Sequence, residues 1–176
     1  GVAAITIIIY TQFLLSTLYI GFSMGVAPVI SYNYGKEDAV RLKKIFSMCL
    51  RFLILVSFLI FGTAYVLGAP MVGFFAEKGT PVYEIARKGF LIFSFSFLFC
   101  GFNIFTSAAF TALSNGKLSA VLSFLRTFGL ILVLLLILPE FLGVVGVWLA
   151  VPIAELLTMI VAVVSLCRNK ELLSFP

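Results

Sequence analysis

The chain has 176 residues, 62% of them hydrophobic and 11% charged, with a net charge of +5 and no His. That balance excludes an ordinary water-soluble domain. The positive charge does not read as a nucleic-acid surface either, because the basic residues punctuate long apolar runs instead of clustering.

A membrane-spanning helix needs about 20 mostly apolar residues. No charge occurs from Gly1 to Gly35, from Phe52 to Ala76 or from Gly89 to Gly116, and two further apolar runs, Leu118 to Leu138 and Leu142 to Cys167, hold one charge each, Arg126 and Glu155. The expected fold is therefore all-α, a polytopic transmembrane bundle of five spanning helices at about 4–30, 45–67, 89–113, 118–138 and 142–167. The first run lacks a basic n-region and a small-residue cleavage site, so it does not read as a signal peptide. An odd span count and an apolar start at Gly1 are expected of a piece of a longer chain.

Span 1 ends in Ser31-Tyr32-Asn33-Tyr34-Gly35, with interfacial aromatics and a helix-ending Gly, and Pro28 distorts its last turns. Lys36 to Lys44 reads as a short charged helix leading into span 2. The outer connection from Gly68 to Lys88 reads as the longest loop, with room for a short helix of its own. Ser114-Asn115-Gly116-Lys117 turns span 3 into span 4, and Pro139, Glu140 and Gly143 mark the turn into span 5. Asn33-Tyr34-Gly35-Lys36 and Ser114-Asn115-Gly116-Lys117 take equivalent places and hint at a repeated hairpin. Lys36, Arg41, Lys43, Lys44, Lys117, Arg168 and Lys170 fall on one face of the membrane, against Lys78, Arg87 and Lys88 on the other. The positive-inside rule assigns the richer face, and the C-terminus with it, to the cytoplasm.

Helical spacing sorts the polar residues into stripes. Gln12, Ser16, Tyr19 and Ser23 share a face of span 1; Ser96, Asn103, Ser107 and Ser114 share one on span 3. Ser119, Ser123 and Arg126 follow on span 4, and Trp148, Glu155 and Ala162 on span 5. Small polar residues let helices pack closely and hydrogen-bond across the contact, which is one reading. Four stripes in one chain also fit helices arranged around a polar cavity. Span 2 has no such stripe and is expected to be the most lipid-exposed.

A charge at mid-membrane costs about 3 kcal/mol on insertion scales. From a rise of about 1.5 Å per residue, Arg126 and Glu155 differ in depth by roughly 8 Å on antiparallel neighbours, within reach of two long side chains. They form either an ion pair that holds the bundle together or a switchable carboxylate beside a cation. Pro152, one turn before Glu155, frees the carbonyl of Trp148. Cys49, Cys100 and Cys167 stand apart without metal or redox spacing. With no His, no HExxH pair and no Ser beside a base, neither an enzyme nor a bound metal or cofactor is expected.

These residues, taken in order, resemble the C-terminal part of a multidrug and toxic compound extrusion (MATE) family transporter. The resemblance rests on Pro28 with Ser31 to Gly35, Thr111 to Ser119, Leu125-Arg126, Leu138-Pro139, Gly143, Gly146-Val147-Trp148 and Pro152 to Glu155. It implies the last five of twelve helices, part of the second lobe of a two-lobed transporter, with an N-terminal lobe of the same protein as partner. It also implies a multi-pass protein of a prokaryotic plasma membrane that exports amphipathic, often cationic organic compounds in exchange for protons or sodium. Span 3 carries no acid where some sodium-coupled members have one, and Asn103 stands in that helix. On this reading Glu155 and Arg126 are coupling or ion-pair residues, and Gln12, Ser16, Tyr19, Ser96, Asn103, Ser107, Ser123 and Trp148 are substrate-path candidates. A flippase for lipid-linked saccharides and a non-transporting scaffold subunit are the alternatives.

Overall fold

A computed structural model describes residues 2–74, 76–169 and 171. Every regular element among them is helical: α1 (Val2–Gly35), α2 (Ala39–Gly73), α3 (Pro81–Ser94), α4 (Phe97–Ala112), α5 (Gly116–Phe124), a π-helical turn (Leu125–Gly129), α6 (Leu130–Leu142) and α7 (Val144–Arg168). Four of these stretches are long and apolar enough to cross a bilayer, namely Ile9–Gly35, Ala39–Pro70, Gly116–Leu142 and Val144–Arg168. The pair α3 and α4, bent by 49°, makes the fifth. The protein is thus an all-helical membrane bundle.

Several boundaries differ from those read in the sequence. Of the charged segment expected as a separate short helix, Lys36 to Asp38 form the turn and Ala39 to Lys44 are the first turns of α2 itself. Most of the supposed loop from Gly68 to Lys88 is helical, because α2 continues through Pro70 to Gly73 and α3 begins at Pro81. There Pro81 sits in the first turn, where its missing N–H is no loss, and Thr80 Oγ1 accepts from Tyr83 N at 3.3 Å. Span 3 breaks at Ser94-Phe95-Ser96. Ser94 Oγ donates to the Leu91 carbonyl at 2.7 Å, and Ser96 N and Leu98 N reach back only three residues, so the ladder tightens and turns.

The hairpin likeness is real in the structure but lies in a different register. Glu37 and Ser114 both take positive φ, 56° and 59°. After each, an Asx residue closes the preceding helix: Asp38 N donates to Asn33 O at 3.1 Å and Asn115 N to Phe110 O at 2.8 Å. Each Asx side chain then caps the next helix, Asp38 Oδ1 accepting from Arg41 N and Asn115 Oδ1 from Leu118 N. Glu37-Asp38 therefore matches Ser114-Asn115, whereas the four-residue string match set Ser114 against Asn33.

The centre of the bundle is α4, which packs on α1, α2, α5 and α7. Its aromatic side joins Phe105 to Phe46 and Phe22, with ring centroids 5.2 and 6.4 Å apart. A Cβ on Gly101 would overlap the ring of Tyr19, so the absent side chain is what seats α1 on α4. Gly146 does the same for the α6–α7 turn, where a Cβ would meet the backbone at Leu138 and Pro139.

Span 2 is not the most exposed. Leu42, Phe46, Cys49, Leu53, Ser57, Ile60 and Ala64 are buried at spacings of three and four, one helical seam against α3 and α4. In its most apolar stretch 28% is buried, against 6% for Gly116–Leu142. An apolar seam buries a membrane helix as well as a polar one does, so the missing polar stripe carried no information about burial.

Candidate functional site: a polar groove with a buried ion pair

Glu155 lies in the middle of α7, 2% exposed, on the face turned to α4 and the π turn. Arg126 Nη1 donates to its Oε1 at 3.3 Å. Asn103 Nδ2 donates both to Oε2, at 2.7 Å, and to the Glu155 backbone carbonyl, at 2.8 Å. The second bond fixes the amide on the α7 backbone, so the first stays aimed at the carboxylate. Arg126 Nη1 also approaches Cys100 Sγ at 3.8 Å, and Ser16 Oγ lies 3.6 Å from the same sulfur.

The π turn places the guanidinium. Leu130 N reaches Leu125 O, five residues back, and the widened turn carries Arg126 toward α7 and α4. Arg126 keeps 24% of its side chain exposed, whereas the Glu155 side chain keeps 2%. A pair so placed cannot lose one member cheaply, because the survivor is left charged and without its counter-ion.

Three cavities lie in file along one face of α1. The first, about 340 Å³, is lined by Gln12, Ser16, Ile20, Arg126, Thr127 and Glu155, among others. The second, about 230 Å³, shares Ile20 and Arg126 with it and adds Ser23, Met24, Ser107, Thr111, Ser119 and Ser123. The third, about 370 Å³, shares Met24, Ala108 and Thr111 with the second and ends at Pro28 and Ser31. From Ile9 to Ser31 this groove covers about 33 Å at 1.5 Å per residue, close to the thickness of a bilayer core.

Of the residues expected to line a path, Gln12, Ser16, Ser107 and Ser123 line the groove, and Asn103 holds Glu155 from behind. Three others lie elsewhere. Tyr19, 1% exposed, points into the core, and its hydroxyl is 3.2 Å from both Ser57 Oγ and the Phe97 carbonyl. Ser96 is buried at the α3–α4 break. Trp148 packs on Gly89 of α3, where a Cβ would overlap its indole, and lines a separate apolar recess with Ile85 and Lys88. Pro28 lines the groove mouth, and Pro152 is buried in α7, three residues before Glu155. Sequence spacing passed over Thr111 and Cys100. Thr111 sits four residues after Ser107 and was open to the same helical argument, but nothing in the sequence marks Cys100 as a neighbour of Arg126.

A family model, MatE, matches residues 1–137. The chain belongs to the MatE family. Solved structures agree on the fold: the Vibrio cholerae MATE transporter VcmN in its bent form superposes with a TM-score of 0.86 at 19% identity, over 98% of this chain and 40% of that one. A point mutant of VcmN gives 0.87 with the same coverage. An inward-facing multidrug resistance MATE family transporter of the MOP superfamily gives 0.81 at 17% identity, over 94% of this chain and 40% of that one. The chain thus spans about 40% of the length of these transporters. No curated protein sequence matches it. Membership of this family points to a membrane transporter and away from catalysis.

Proposed function

We propose that this chain forms part of the second lobe of a secondary active antiporter, which exports amphipathic, often cationic organic compounds in exchange for protons or sodium. The observation that carries this reading is the groove along α1, as long as a bilayer core is thick, lined along its course by a carboxylate and a guanidinium that meet, with an amide holding the carboxylate from behind. A buried carboxylate with one cationic and one amide donor trades a proton or a cationic ligand when its surroundings shift, because the net charge of the site changes with Arg126's position. An N-terminal lobe of the same protein is the partner that would cover the exposed side of Gly116–Leu142. The plasma membrane is the proposed location, and the distribution of basic residues favours an orientation with the C-terminus inside.

The alternatives find less support. A flippase for saccharide-linked lipids needs a broad basic cavity, and the basic side chain that lines these cavities is Arg126. The test is ethidium efflux from energised cells carrying the full-length protein, wild type against Glu155→Gln at equal membrane abundance, with proton and sodium gradients collapsed separately. Efflux that needs one gradient and fails in the variant supports the reading. A fully active variant reduces Glu155 to a structural partner of Arg126, and the absence of efflux from wild type removes the drug-export reading.

A further inference from the structure

Arg126 occupies a particular place in the file of cavities. It lines the first and the second, whereas Glu155 lines only the first. The guanidinium therefore stands between the carboxylate and the part of the groove that leads to the turns at Glu37 and Ser114, the basic face of the bundle.

Half of the residues lining that second part carry hydroxyls, and four of them are linked in a row. Thr111 Oγ1 donates to Ser119 Oγ at 2.7 Å, Ser119 Oγ is 3.0 Å from Ser107 Oγ, and Ser107 Oγ is 2.7 Å from Ser123 Oγ. Ser123 is three residues before Arg126. Across the cavity Ser23 Oγ, in a residue 2% exposed, has no hydrogen-bond partner in the structure. A buried hydroxyl without a partner on the wall of a polar cavity is a place for water. Hydroxyls both donate and accept, so such a wall holds waters in a file without fixing their orientation. A cation at a constriction repels protons, as positive groups do in water-selective pores.

We propose that Thr111, Ser119, Ser107 and Ser123 line a water file that carries protons between the basic face and Glu155, and that Arg126 is the septum that interrupts it. The proposal rests on the reading of the chain as part of an ion-coupled antiporter. With Arg126 turned aside, hydronium at Ser123 hands its proton to a Glu155 carboxylate oxygen and is left as water; the reverse step returns it. The titratable and charged groups that face Glu155 are Arg126 from the π turn and Cys100 from α4. With Arg126 in place the two halves of the groove stay apart, as an exchanger requires if it is not to dissipate its own gradient.

The experiment uses the full-length protein in liposomes with a pH-sensitive dye inside, a potassium diffusion potential set by valinomycin, and no organic substrate. Wild type is expected to be as proton-tight as protein-free liposomes. Arg126→Gln is expected to leak protons at least about tenfold faster, because the electrostatic barrier is gone. Adding Ser107→Val and Ser123→Val to that variant is expected to restore tightness. A tight Arg126→Gln overturns the septum, a leak indifferent to the two valines overturns the hydroxyl file, and a sodium flux in place of protons overturns the carried ion. Should Arg126→Gln fail to fold, Ser123→Cys in a protein with Cys167→Ser decides. An impermeant thiosulfonate is then expected to modify it from the basic-face side only, and modification from the other side, or none, overturns the proposal. A failure of the export reading shows separately, as wild type that moves no ethidium.

Discussion

Two buried polar clusters sit one helical turn apart on the same pair of helices, and they differ in kind. Tyr19 of α1 reaches Ser57 of α2 and the Phe97 carbonyl of α4, sealed inside the aromatic core. Ser16 of α1 and Cys100 and Asn103 of α4, the next turn along, lead to Glu155 and Arg126 and open onto the groove. The first cluster joins three helices and lines none of the three groove cavities; the second joins four segments and lines two of those cavities, with Asn103 Oδ1 left without a partner. Polarity on a helix face is thus a poor guide to a transport path. What separates the clusters is contact with the groove and an incomplete set of hydrogen bonds.

The comparison is broken most severely by removing one charge of the pair. Arg126→Ala leaves Glu155 buried without its counter-ion, and the full-length protein is expected to lose about 3–5 kcal/mol of stability, with most of it regained in the double variant Arg126→Ala, Glu155→Gln. Thermal unfolding in detergent across the four members of that cycle measures the coupling. A smaller loss is expected at the seat of the sealed cluster: Gly101→Ala pushes a methyl into the Tyr19 ring and is expected to cost about 1–3 kcal/mol. Substrate efflux per folded molecule should be unchanged in that variant. The smallest effect belongs to Tyr19→Phe, which removes one hydroxyl donor and is expected to cost about 1 kcal/mol in the same unfolding assay.

Much of the fold was legible because membrane helices announce themselves by length and apolarity, and the pairing of Arg126 with Glu155 followed from helical rise alone. Local backbone choices were not legible. The break at Ser94 to Ser96 comes from a serine hydroxyl competing for a backbone carbonyl, and the π turn at Leu125–Gly129 has no Pro or other breaker at Arg126 to signal it. The direction in which each stripe faces was also hidden. Tyr19 falls on the same helical face as Gln12 and Ser16, yet Gly101 draws its ring into the core. Trp148 shares a face with Glu155 but packs on Gly89 of α3, two turns nearer the start of the helix. A stripe fixes an angle around one helix, and only the neighbour it meets decides whether that angle is core or cavity.

The central claim is that the Glu155 cluster belongs to the transport route and the Tyr19 cluster to the scaffold. The direct measurement is melting temperature and gradient-driven ethidium efflux, taken together on full-length Tyr19→Phe and Glu155→Gln. The expected result is a separation of the two readouts: Tyr19→Phe melts a few degrees lower and transports as wild type, while Glu155→Gln, whose one amide oxygen accepts from Arg126 and whose NH2 then faces Asn103, loses at least about tenfold in efflux per folded molecule, whatever its melting temperature. Efflux that survives in Glu155→Gln and fails in Tyr19→Phe would contradict the account.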